Sequence, residues 1–152
     1  MIIHPRIAQW QSRLDKVICT MMASPLKYSV NDCMLLAVRA IRAMTGQNIL
    51  GSPAVKKYAP DGIPFYGTKE EAEDVLWDFG FTSISELLDA TLSRKNILFI
   101  QPGDIVQHPK YSDIVGAMGG EFIHFLSLTN KPSLLEAYSF EAKAWDVLIW
   151  VE

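Results

Sequence analysis

Apolar residues recur at helical spacing near the start of the chain and share one face. This stripe comprises Ile7, Trp10, Leu14, Val17, Ile18 and Met21. The pattern predicts an amphipathic helix over about residues 6 to 22, which ends before the break at Pro25. Cys19 falls nearly opposite the stripe, so we expect it on the outer side of this helix.

A second helical pattern runs from about Asp32 to Met44 and is apolar almost all round. Past its first turn, its only charged residues are Arg39 and Arg42, which lie on the same side. A helix of this kind is typically packed on most of its surface. The pattern therefore predicts a central helix, with Cys33 in its first turn on the face opposite the arginines.

The ends of this helix carry capping signals. Ser29 and Asn31 are both candidate N-caps, and Ser29 with Asp32 has the spacing of a capping box. Gly46 follows Thr45 and is typical of the residue just past a helix C-terminus.

Two further capped helices are predicted after a Pro/Gly-rich connection over residues 51–67. The first opens at Thr68, with Glu71 at capping-box spacing, and continues to about Phe79 before Gly80. The second opens at Ser83, with Glu86 at the same spacing, and ends at about Leu92.

The pattern then changes to short β-type runs separated by turn residues. These runs are NILFIQPGDIVQH, SDIVGAM, EFIHFLSL, SLLEAYSF and WDVLIWV. Helices followed by strands predict a single α+β domain over residues 1–152. We expect an antiparallel sheet of about four to six strands with the helices on one of its faces.

Composition agrees with a globular chain, because 49% of the residues are hydrophobic and 20% are charged. The formal net charge of −3 argues against a nucleic-acid binder with a broad basic surface. Apolar runs fall short of the roughly 20 residues that span a bilayer, which predicts no membrane span. The start lacks the features of a signal peptide, so we expect synthesis and folding in a cytoplasm. Two cysteines and three histidines lack zinc-ligand spacing, which predicts no metal or cofactor.

Cys33 is the candidate nucleophile. The partial positive charge at a helix N-terminus lowers the pKa of a cysteine, and the thiolate is the reactive form. His124 is the best candidate base, because it lies in a predicted buried strand and shares one strand face with Phe122 and Leu126. Glu136, on the next predicted strand, is the candidate that orients the imidazole.

Other polar residues in this region are alternatives to that triad. Asp113 and Asp32 are the main ones. Asp104 in QPGDIV is expected to cap a turn before a strand and has no predicted chemical role. A structural interpretation stays open, in which Cys33 is a small core residue and His124 is a structural side chain whose hydrogen bonds are made within the fold.

The order of these motifs resembles the NlpC-type branch of the papain-like cysteine peptidases. The resemblance depends on the pair Asp32-Cys33 at the start of a central helix and on the run Gly103-Asp104-Ile105-Val106. The layout is similar to one sub-branch from phage and prophage tail loci. The matching pieces are Trp10 with Arg13-Leu14, Tyr28 to Cys33, Ala40 to Gly46, Gly103 to Val106 and Ala144 to Val147. The resemblance implies a papain-like fold with the Cys33 helix packed on the sheet.

Two alignments with this family compete in the C-terminal half. In the first, IVGAMGGEFIHF matches HVGIYLG…FIHA, so that Ile114 occupies the position of the base and His124 the third position. Asp113 then lies beside the empty base position. In the second, IHFLSLTNKPSLLEA matches HVGIYLGNGKFIEA, so that His124 is the base and Glu136 the orienting group.

The resemblance implies a phage tail-associated protein of the hub or tip. One hypothesis is a cysteine hydrolase that cleaves peptidoglycan stem peptides, with Cys33, His124 and Glu136 as its triad and a thioester intermediate. The other is a catalytically inactive structural or adaptor component of the tail. Both hypotheses imply other hub or tip proteins as partners, synthesis in the bacterial host cytoplasm and a final place in the virion. The first also implies peptidoglycan as the substrate.

Overall fold

The computed structural model describes residues 2–52, 55, 65–108, 111, 114–120, 122–126, 132–134 and 143–150. Its α-helices are α1 (Trp10–Met22), α2 (Cys33–Thr45), α3 (Lys69–Phe79) and α4 (Ile84–Thr91). Its strands are β1 (Ile2–Ile3), β2 (Leu92–Lys95), β3 (Ile105–Gln107), β4 (Val115–Gly119), β5 (Phe122–Phe125), β6 (Pro132–Leu134) and β7 (Ala144–Trp150). Among these residues, none of the helices has the length and apolar character needed to cross a membrane.

The strands form one antiparallel sheet in the order β1-β7-β3-β4-β5-β6, with β2 also paired to β7. This confirms the predicted α+β class with an antiparallel sheet. Within the described residues the sheet has seven strands, which exceeds the predicted four to six because the short β1 and β2 add to the predicted strands. Residues Ile97–Phe99, which were predicted as strand, form a 3₁₀ turn in which the Asn96 side chain accepts a hydrogen bond from the Leu98 N–H (2.9 Å).

Helix α2 occupies the centre of the domain, as predicted. From Met34 to Thr45 its residues are buried, with the exceptions of Arg39 and Arg42. Helix α1 packs against it through Leu14, Ile18 and Met21, while Cys19 is exposed on the outer side. The main core therefore lies between these helices and one face of the sheet.

The start of α1 differs from the prediction. The helix begins at Trp10 rather than near residue 6, because Gln9 has a positive φ of 60°. The Ile7 N–H donates to the Met44 carbonyl at the end of α2 (2.8 Å) instead of joining a helical turn. The segment at Ile7 therefore attaches to α2 and does not extend α1.

The opposite face of the sheet has a second, smaller core. It consists of Ile97, Val106, Met118, Ile123, Phe125 and Ala144, with Ile100 and Ile114 packed against it. In the described part of the chain, the α-helices lie on the other face and the 3₁₀ turn Ile97–Phe99 packs on this one. The prediction that the helices share one face is confirmed to this extent.

Caps at α3, α4 and the end of α2 are as predicted. The hydroxyls of Thr68 and Ser83 accept hydrogen bonds from the Glu71 and Glu86 N–H groups, both at 3.1 Å. Gly46 ends α2 with a φ of 74°, a left-handed conformation that glycine adopts without steric cost.

The N-cap of α2 was predicted wrongly. Asp32, rather than Ser29 or Asn31, caps the helix and accepts a hydrogen bond from the Leu35 N–H through Oδ1 (2.9 Å). Asn31 uses its side-chain amide to bind carbonyls at and after the end of α1, including that of Met21 (2.8 Å). These donations from Nδ2 orient the Asn31 side chain toward the end of α1, and the next residue, Asp32, provides the cap.

Candidate functional site

The first residue of α2 is Cys33, which is half-buried and forms no disulfide. It directly follows the N-cap Asp32, so its sulfur lies at the end of the helix where unpaired N–H groups create a partial positive charge. The predicted position of Cys33 at a helix N-terminus is thus observed, and ionisation of its thiol stays a prediction. The placement is compatible with a nucleophile, provided that another group accepts the thiol proton.

The Asp32 side chain is buried and accepts three hydrogen bonds. Its Oδ1 accepts from the Leu35 N–H (2.9 Å), and its Oδ2 accepts from the Ser29 N–H (2.9 Å) and the Tyr66 hydroxyl (2.6 Å). A buried carboxylate needs such donors, because an unpaired buried charge is strongly destabilising. The geometry therefore gives Asp32, an alternative site residue of the sequence analysis, the role of a helix cap.

Tyr66 was not predicted as part of this site. It lies in the segment that precedes α3, its side chain is buried, and its N–H donates to the Ser29 hydroxyl (3.0 Å). Burial raises the pKa of the Tyr66 phenol, and the hydrogen bond to Asp32 and the charges of Asp32 and Cys33 raise it further. The phenol therefore stays protonated and donates a hydrogen bond to Asp32. It lies close enough to Cys33 for a charge on that residue to raise the pKa of the phenol.

Sequence reasoning had little chance of finding Tyr66. It is separated from Asp32 by 34 positions along the chain, and no local motif links the two. The only local signal is its place one residue before Gly67 and the Thr68 cap, in a segment that the sequence analysis assigned to a surface connection.

His124 lies on β5 with its side chain on the helix-facing side of the sheet. It is paired with Ala117 of the main core, whereas its neighbours Ile123 and Phe125 belong to the second core. Its Nε2 lies 3.4 Å from the Gly119 carbonyl oxygen. His124 thus faces the helices and its two neighbours face the other side, as the alternating sequence pattern predicted.

The polar surroundings of His124 come from β4 and α1. Burial lowers the pKa of His124, although the hydrogen bond with Gly119 and the charge of Asp15 on α1 act in the opposite direction. A Cβ atom added at Gly119 would contact both this imidazole and Ile18 of α1. Among the described residues, the Gly119 carbonyl is the hydrogen-bond partner of the imidazole, and Asp15 acts on it through its charge.

The order of the strands bears on the two family alignments. Strand β3, which carries Ile105-Val106 of the GDIV run, pairs directly with β4, and Val106 lies opposite Gly116. Strand β5, with His124, follows as the next neighbour of β4. His124 lies on β5 in either alignment, so the choice between them stays a prediction. Ile114 packs against the second core, on the face of the sheet away from α2.

The remaining predicted residues fall into two groups. Glu136 and Asp113 lie outside the described residues, so their roles stay predictions. Asp104 caps a turn as predicted: its buried Oδ2 accepts from the Gln101 N–H (2.8 Å) and pairs with Lys95 (2.8 Å). Within the described ranges, no group of three or more His, Cys, Asp or Glu side chains could hold a metal ion.

The lowered pKa of His124 predicts a pH-dependent stability. At a pH near the ordinary histidine value of about 6.5, the unfolded chain binds a proton that the folded chain does not. This contribution is complete above that pH and is lost as the pH falls through the folded pKa. We expect the free energy of unfolding, measured in urea between about pH 7.5 and 5.5, to fall more in the wild type than in His124→Gln. Equal losses in the two proteins would show that the ring is not shielded as described.

Comparison with known proteins gives one result. A protein-family model described as a domain of unknown function, DUF6950, matches residues 5–147. No match was found among the curated proteins or among the solved structures. The matched range includes the Cys33 helix, both segments of the competing alignments and most of β7. Because the match covers nearly the whole chain, the chain belongs to the DUF6950 family.

Proposed function

We propose that this chain is a phage tail-associated protein with an NlpC-type, papain-like layout, and that it serves as a structural or adaptor component of the tail. The support for the layout is the order of its motifs and the way in which α2, led by Asp32-Cys33, packs on the sheet that contains the GDIV strand. Its partners are other hub or tip proteins. It is made in the host cytoplasm and ends in the virion.

The observation that carries the non-catalytic role is the environment of His124. Its ring bonds to the Gly119 carbonyl (3.4 Å), and the charge of Asp15 on α1 acts on it. The position that the first alignment assigns to the base holds Ile114, which packs on the opposite face of the sheet. A thiol attack needs a base within hydrogen-bonding reach, and the His124 imidazole would have to leave the Gly119 carbonyl to serve as that base.

A second candidate is a cysteine hydrolase that acts on peptidoglycan stem peptides. It is favoured by one observation: the half-buried Cys33 thiol at the first turn of a capped helix. In this hypothesis the Cys33 sulfur bonds to the peptide carbonyl carbon, the amine leaves with a proton, and water then cleaves the thioester. His124 would have to leave the Gly119 carbonyl to take the thiol proton, with Glu136 as its orienting partner.

Digestion of peptidoglycan distinguishes the two roles. Purified chain is incubated with sacculi and with a free stem tetrapeptide, and released peptides are identified by mass spectrometry. We expect no release above that of Cys33→Ala. Release that is lost in both Cys33→Ala and His124→Ala would overturn the non-catalytic role and establish the hydrolase.

Tail association has a separate test. We expect the chain to be found by quantitative mass spectrometry in tail particles purified from a phage, or an induced prophage, that encodes it. A chain that remains in the host lysate and is missing from purified particles would contradict a virion component, whatever its activity.

A further inference from the structure

We propose that Tyr66 is a positioning residue for Cys33: its hydroxyl holds the Asp32 carboxylate, which in turn holds the helical turn that presents the thiol. This inference rests on the Cys33 site of the proposed function, but it does not require that the thiol cleave anything. It assigns a role to a buried phenol that neither the family resemblance nor the sequence pattern had identified.

The geometry ties Tyr66 to the start of α2 at two points. Its hydroxyl donates to Asp32 Oδ2 (2.6 Å), and its backbone N–H donates to the Ser29 hydroxyl (3.0 Å). The Tyr66 side chain is 1% exposed and that of Asp32 is 3% exposed, so water does not compete for these bonds. Ser29 also donates its own N–H to Asp32 Oδ2, which links the two attachments into one network.

This network controls how strongly the Asp32 charge acts on the adjacent thiol. A carboxylate next to Cys33 opposes formation of the thiolate, whereas the helix N–H groups favour it. Donation from the Tyr66 hydroxyl disperses the charge of the carboxylate and weakens that opposition. Arg39, on α2 itself, donates to the Val30 carbonyl (3.2 Å), and Lys27, before α2, pairs through its backbone with Asn31. Neither is altered by the variants below.

Two substitutions separate this role from a purely structural one. Tyr66→Phe removes one of the three donors to Asp32, so the carboxylate should oppose thiol ionisation more strongly. Asp32→Asn removes the negative charge but keeps a side-chain oxygen that can accept from the Leu35 N–H. If both residues merely supported the helix turn, both variants would weaken the cap and move thiol ionisation in the same direction.

The test is the rate of alkylation of Cys33 by iodoacetamide as a function of pH, in full-length chain carrying Cys19→Ser. We expect Tyr66→Phe to raise the pH midpoint and to slow alkylation at neutral pH by about threefold or more, and Asp32→Asn to lower the midpoint. Tyr111→Phe, at an exposed tyrosine of a different segment, is the matched control and should leave the profile unchanged.

An unchanged midpoint in Tyr66→Phe, or shifts of both variants in the same direction, would overturn the inference. If circular dichroism shows that Tyr66→Phe does not fold, Asp32→Asn decides alone, because a midpoint that stays constant or rises contradicts the role of the charge. Alkylation requires no substrate, so a chain that leaves peptidoglycan intact can still show the expected shifts. Failure of the inference is thereby distinguished from failure of the proposed function.

Discussion

Gly116→Ala is expected to destabilise the fold by about 3 kcal/mol or more, at or above the upper end of the usual cost of overpacking a core. A Cβ atom at this position would clash with the His124 backbone oxygen and lie 2.6 Å from the Phe125 ring. The nearest atom belongs to the backbone of the paired strand and cannot rotate away. The two strands must therefore separate, and this separation disturbs the hairpin that positions His124.

The matched control for this change is Gly51→Ala, because an added Cβ there meets nothing within 4 Å. Chemical denaturation of both variants measures the difference. We expect Gly51→Ala to remain within about 0.5 kcal/mol of the wild type. A Gly116→Ala protein of wild-type stability would mean that β4 and β5 do not pair in the described register.

Trp145→Ala has the second large expected effect, about 3–5 kcal/mol of unfolding free energy, as is usual when a buried tryptophan is truncated. Trp145 lies on β7 between β2 and β3, opposite Arg94 on one side and Ile105 on the other, and it is fully buried. Its Nε1–H donates to Asp89 Oδ1 (2.9 Å), which joins the end of α4 to the sheet. The substitution removes both the core volume and this bond.

Trp77→Ala provides the control for Trp145→Ala, because Trp77 on α3 is 70% exposed and its removal should cost less than about 0.5 kcal/mol. Trp145→Phe separates the two contributions, since it keeps an aromatic ring and loses only the Nε1 donor and part of the volume. Thermal or urea unfolding measures all three. Comparable losses in the Trp77 and Trp145 alanine variants would contradict the described position of β7.

Local signals in the sequence predicted much of the fold. The all-round apolar pattern of α2 identified the central helix, and short-range signals at Thr68, Ser83 and Gly46 located three helix ends. These predictions were correct because capping depends on residues only a few positions apart. The start of α1 and the 3₁₀ turn Ile97–Phe99 were predicted wrongly, because tertiary contacts with α2 and with the second core determine the backbone there.

The candidate site was less predictable. Cys33 could be placed at a helix N-terminus from sequence, but the choice between Asp32 and Asn31 as cap depended on what the Asn31 amide binds at the end of α1. His124 was placed correctly on a strand face. That face, however, is shared by more than one helix, and the alternation of residues does not tell which helix the ring will meet. The contact of Tyr66 with Asp32 depends on long-range packing and leaves no pattern in the chain.

In the proposed function, Cys33 retains the position of a nucleophile while His124 does not serve as its base. The most direct test is the pH profile of Cys33 alkylation in the Cys19→Ser background, with and without His124→Ala. Because the His124 ring is paired with the Gly119 carbonyl, we expect the midpoint of the profile to be the same in both proteins. A midpoint that rises when His124 is removed would reveal a thiolate–imidazolium pair, contradict the non-catalytic role and make the hydrolase the better proposal.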